Sequence, residues 1–236
     1  MKSKIHKFIN LTTKRNMRKK IFLTVVAIAG MFAAQAQINE GSVTYGVTME
    51  GLPPEQASMM KGMELTMMFK AKKSRAEFSS AMMTSTTVND DNGSLTLMDG
   101  MGQKSFIKMS KADLEKDAKK AAEPKITYID EKKTIAGYEC KKALIEVKDQ
   151  KGEVQKVTVW YTEKLPNNSS GKMMGQLKGL KGAPLEFETA QGPYKMKFSA
   201  SKVSLSPVAD SEFTLSTDGY TEMKADDLKK MQGGGK

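Results

Sequence analysis

Histidine and cysteine are almost missing from the chain, with one of each in 236 residues. The histidine, His6, lies in a basic opening stretch, so residues 37–236 hold none. That excludes Ser-His-Asp and Cys-His catalysis, His-ligated zinc and imidazole acid–base chemistry from this span. Cys140, alone, can form no intramolecular disulfide. Phosphate loops, nucleophile elbows and paired-carboxylate motifs are also missing. The single long apolar run, "IFLTVVAIAGMFAA", is too short and too rich in small residues for a comfortable membrane span.

What surrounds that run gives it a meaning. Residues 1–20 carry eight Lys or Arg and no acid, and the run exits through Ala34-Gln35-Ala36 before Gln37. A basic stretch, an apolar stretch and an A-x-A exit predict a secretory signal peptide over 1–36, cleaved after Ala36. No cysteine follows the apolar run, so no lipid attachment is expected there. The mature protein is expected in the periplasm or medium, with no membrane anchor. Cleavage also changes the charge argument. The full chain is +11, but the leader takes eight of 38 basic residues, leaving 30 against 27 acids, or +3. The high pI is then mostly a targeting signal and gives no support to nucleic-acid binding.

The remainder suits one domain over 37–225, with a frayed tail over 226–236. Most of it alternates between apolar and polar residues. "GSVTYGVTM", "ELTMMFKA", "KSFIKM", "KITYID", "CKKALIEVKD", "EVQKVTVWYTEKL", "PLEFETA" and "YKMKFSASKVSLS" read as strands. "TSTTVNDDNGSLTLMD" reads as a hairpin turning at Asn92-Gly93. "PPEQASMMKGM" predicts a short helix, and Ser110 caps a second, largely exposed one over "KADLEKDAKKAAE". Nine or ten strands at short spacing with few helices predict a mainly-β α+β fold: a curved antiparallel sheet, or half-barrel, with helices over its concave face.

Methionine is what the sequence has in excess. "MMKGMELTMMFK" puts five into twelve positions, and residues 37–236 hold 16. Thioethers suit Cu(I), but no histidine or cysteine stands nearby, and Met67 and Met68 point to opposite faces of a strand. Flexible packing, or an apolar groove that adapts to its ligand, fits better. The expected groove residues are Met59, Met60 and Met63 on the lid helix, with Leu65, Met67 and Phe69 on the inward strand face. Cys140, beside Lys141 and Lys142, is a candidate reactive thiol, set against a buried and inert strand cysteine. Tyr138, Trp160 and Tyr161 mark either a ligand-facing wall or cross-strand packing. "NDDNG" lacks the spacing of a calcium loop and reads as a turn. No cofactor and no metal is expected.

"KTIAGYECKKALIEV", "VTVWYTEKLP", "GAPLEFE", "SKVSLSPVADSEFTL" and "DGYTEMK" resemble an exported Gram-negative family classified as a domain of unknown function. It is related to the GLPGLI proteins. Here "LKGLKGAPLEFE" stands near the place of their Gly-Leu-Pro-Gly-Leu-Ile segment. Both groups resemble the lipoprotein-sorting carriers of LolA and LolB type. The resemblance implies a half-barrel and no catalytic residue. The function expected is therefore non-enzymatic: holding a lipid, lipoprotein or other amphiphile for the cell envelope. The alternatives are methionine-based copper binding, or a structural module that meets another envelope protein.

Overall fold

The computed structural model describes residues 38–53, 61–120, 123–148, 154–167, 175–191 and 194–224. The predicted signal peptide, most of the predicted lid helix and the tail from 225 lie outside these residues.

Two antiparallel meanders build a single twelve-stranded sheet. The first runs through β1 (Glu40–Glu50), β2 (Glu64–Lys70), β3 (Lys73–Ser79), β4 (Met83–Asp90), β5 (Gly93–Gly100) and β6 (Gln103–Ser110). Helix α1 (Lys111–Lys120) leads to the second: β7 (Lys125–Ile135), β8 (Tyr138–Lys148), β9 (Val154–Thr162), β10 (Ala183–Gln191) and β11 (Tyr194–Ser204). β11 returns to pair with β1, and the two-residue β12 (Thr221–Glu222) joins β6 in parallel. The order is β12-β6-β5-β4-β3-β2-β1-β11-β10-β9-β8-β7. The end strands do not meet, so the sheet curls without closing.

The alternation in the sequence decides which face is inside. Val43, Tyr45 and Val47 on β1, and Leu65 and Met67 on β2, all turn to one side and are buried. Phe187 and Phe198 pair across β10 and β11, with ring centroids 4.7 Å apart, and Tyr45 meets Phe187 edge-on at 5.8 Å. The Tyr45 hydroxyl donates to the Pro184 carbonyl at 2.8 Å, which satisfies the one polar atom this ring takes inside. Leu165, Leu177 and Leu180, between β9 and β10, complete this core. Asn167 pins that segment by donating to the Leu177 and Leu180 carbonyls at 3.2 and 3.0 Å.

The segment after β11 forms a strap against the other side of the first meander. Lys70 donates to the Val208 carbonyl at 2.7 Å, and Arg75 to the Glu212 carbonyl at 2.9 Å. The Val208 amide donates to Glu40 at 3.0 Å, and the Met223 amide to the Phe106 carbonyl at 2.8 Å. Phe213 in the strap is buried, as is Val88, which faces Arg75 in register. This gives the "SKVSLSPVADSEFTL" and "DGYTEMK" motifs a structural task.

Three expectations change. Two strands escaped the sequence reading: β3, and the short β12. The β4–β5 turn is Asp91-Asn92, one residue earlier than expected, because Gly93 already pairs with Asp90. The Asp90 carboxylate accepts the amides of Asn92 at 2.8 Å and Gly93 at 3.2 Å, and chiefly the Asn92 amide holds its pKa down. Gly93 must be glycine, since an added Cβ would lie 2.1 Å from the Met109 carbonyl oxygen. The predicted cap on α1 is present: the Asp113 amide donates to Ser110 Oγ at 3.2 Å.

Candidate functional site

Register carries the inner face outward from the core, strand by strand. One row runs Tyr45, Leu65, Phe78, Ser85, Met98, Ser105. The next runs Val43, Met67, Ala76, Thr87, Thr96, Ile107. At their start both rows are closed: Tyr45 is 2% exposed and Leu65 1%. From β3 onward most of these residues are only half-buried; Ile107 is the buried exception. The face spans about 14 Å from β3 to β6 and about 20 Å along the strands.

Its chemistry is uniform. Every inward position of β3 to β6 is small, hydroxylated, amide-bearing or apolar, and none is charged. The charges, Lys73, Arg75, Glu77, Asp90, Asp99, Lys104 and Lys108, all take the alternate, outward positions. The hydroxyls partly satisfy one another: Thr87 and Thr96 lie 2.9 Å apart across β4 and β5, and Asn89 donates to Ser74 at 3.2 Å. Such a face gives an apolar chain something to lie on at little desolvation cost and offers hydroxyls to a polar group beside it.

The predicted groove residues divide. Met63, Leu65 and Met67 are packed into the core and Phe69 is buried further along β2. Met59, Met60 and the cleavage residues Ala34, Ala36 and Gln37 lie outside the described residues. Sequence reasoning missed Phe78, Ser85, Thr87, Thr96, Met98 and Ile107. Of these only Phe78 left a signal, in "KSRAEFS", where small or apolar residues alternate with charges.

Cys140 is fully buried, and burial pushes its thiol up to about 11, against the ordinary 9.0. It is a packed thiol rather than an activated one. Around it the "IAGYECKK" motif forms a bent hairpin tip. Ala136 and Gly137 both take positive φ, 47° and 82°, as a tight I′ turn requires. A register shift between Ile129 and Lys132 lets the tip lean across the sheet. Lys133 thereby lies 4.4 Å from the Trp160 ring centroid and 2.7 Å from Glu186. Lys197 approaches Glu186 at 3.3 Å, and Ser199 donates to it at 3.2 Å. Burial works to raise the Glu186 carboxyl, but the Lys133 hydrogen bond and the two lysine charges outweigh it and hold the group low. Trp160 thus serves cross-strand packing and cation–π contacts. Among the described residues no three His, Cys, Asp or Glu side chains cluster as metal ligands.

Fold and face together define an open, mainly-β sheet protein with one uncharged, incompletely covered surface. The chain belongs to the family described as N-glycanase peptide, N-terminal domain, which it matches over residues 58–190. The match takes in β3 to β6 and the Cys140 hairpin, and it is to a family other than the GLPGLI group. The chain is also similar to the crystal structure of the lipoprotein LppX of Mycobacterium tuberculosis, at 11% identity and a TM-score of 0.38, covering 71% of this chain and 88% of that one. LprF from Mycobacterium bovis is similar at 14% identity and a TM-score of 0.33, covering 74% and 90%. No curated protein matches. Among the described residues no helix is long and apolar enough to cross a membrane.

Proposed function

We propose that this protein is a non-enzymatic, exported binding module that holds an amphiphile against the inner face of β3 to β6. The observation that carries the reading is the uncharged face itself. It continues the core rows but is not closed over as they are. An acyl chain laid on Phe78, Met98 and their neighbours leaves water at about 0.8 kcal/mol per methylene. Met98 adapts to its shape, and the Ser and Thr hydroxyls meet the polar end. Native mass spectrometry of the mature protein purified from its own envelope tests this. Lipid adducts that survive desalting are expected. A bare monomer mass, together with no binding of a fluorescent fatty acid, overturns the reading.

The family description supports a second reading, in which the domain serves an N-glycanase by engaging its glycopeptide. An N-glycopeptide that binds tightly while the fatty acid does not would favour it over the first. The copper alternative loses Met63 and Met67 to core packing.

A further inference from the structure

The hairpin tips of β2 to β6 differ sharply between the two ends of the sheet. At one end stand Ala71-Lys72, flanked by Lys70 and Lys73, and Asp91-Asn92, flanked by Asp90. A salt bridge of 3.7 Å joins Lys72 and Asp91 there. At the other end the tips read "SAMM" and "GMGQ", without a charge; Asp99 and Lys104, which flank the second, neutralise each other in a salt bridge of 3.2 Å. Met82, Met83 and Met101 are 49, 40 and 83% exposed. The two tips are neighbours: Met83 pairs with Gly100, and a Cβ on that glycine would lie 2.7 Å from the Met83 Cβ.

Met101 stands first in its two-residue turn, with φ of +54° followed by Gly102 at +76°, the same turn geometry as Ala136-Gly137. The turn holds a flexible apolar side chain almost wholly in water. The tips also adjoin the candidate face, because Met83 shares it with Met98, one diagonal away.

We infer that these two uncharged tips dip into the surface of a lipid bilayer, where the β3–β6 face receives or releases its amphiphile. A bilayer suits them better than a protein pocket. The methionines sit on two separate turns, and unbranched thioethers enter an acyl boundary in any orientation. Charged tips at the far end would keep that end in water. The inference rests on the amphiphile-holding reading above.

The test is cosedimentation of the mature chain with phosphatidylcholine vesicles, and with vesicles that also contain phosphatidylglycerol. A Met82→Ser/Met101→Ser double variant, altered only at exposed positions, is expected to bind both on the order of tenfold more weakly. Its uptake of a soluble fluorescent fatty acid is expected to stay as in the wild type. Equal vesicle binding by the two proteins overturns the inference. So does binding by the wild type to the anionic vesicles alone. If fatty-acid uptake is missing from both proteins, the amphiphile reading falls, and the vesicle result still judges the tips.

Discussion

Replacing Met98 by glutamate tests the candidate face with an effect that can be worked out beforehand. Met98 is half-buried between Ser85 and Ser105. In the free protein a carboxylate there stays partly hydrated, so stability should fall by only about 1 kcal/mol. With an apolar chain on the face, that carboxylate must lose its water or take up a proton. Protonation at pH 7, from an ordinary pKa of about 4.3, costs about 3.7 kcal/mol, which caps the penalty. Fatty-acid affinity at pH 7 should therefore drop by a factor of about 100 to 500. At pH 5 the cap falls to about 1 kcal/mol, and affinity should recover to within about fivefold of the wild type. Thr84→Glu, on the exposed outward face of the neighbouring strand, should change neither value. Fluorescence titration at both pH values reads the result, with a urea melt as the folding control. Unchanged affinity in Met98→Glu, or an equal loss in Thr84→Glu, refutes the reasoning.

Phe187→Ala removes a fully buried ring that touches Phe198 and Tyr45, and should cost about 3–5 kcal/mol by chemical denaturation; a cost below about 1 kcal/mol would contradict the packing described. Cys140, with its thiol at about 11 and no exposure, should resist iodoacetamide at neutral pH until denaturant opens the sheet; stoichiometric labelling of the folded protein would refute this. Glu186 has a folded pKa below its ordinary 4.5, so its stabilising contribution is present above that value and lost as pH falls through the folded one. Glu186→Gln should therefore flatten the loss of melting temperature between roughly pH 5 and 3, and an unchanged acid slope would count against the Lys133–Glu186–Lys197 cluster.

Much of the sheet was legible because its strands alternate, and alternation is what a half-buried strand must show. Leu65, Met67 and Phe69 read as inward from sequence, and they are buried. β3 was not legible as a strand, because its inward residues Ser74 and Ala76 are too small to stand out beside charged neighbours. The candidate face was hidden for a related reason. Serines and threonines carry no apolar signal, and the face exists only once register brings β3, β4, β5 and β6 side by side. Methionine drew the eye to residues 59–69, yet those described that far were spent largely on core packing. The exposed Met82, Met83 and Met101 looked no different in composition. Cys140 beside two lysines left activation open against an inert, buried strand cysteine, and burial dominates its thiol.

The central claim is that an amphiphile lies on the inner face of β3 to β6. Photocrosslinking with a diazirine-bearing fatty acid, followed by peptide mapping, addresses it most directly. The account expects adducts on Phe78, Met98 and their inward neighbours, and their loss in Met98→Glu at pH 7. Adducts confined to the outward face or to the strap, or no saturable adduct at all, would contradict it.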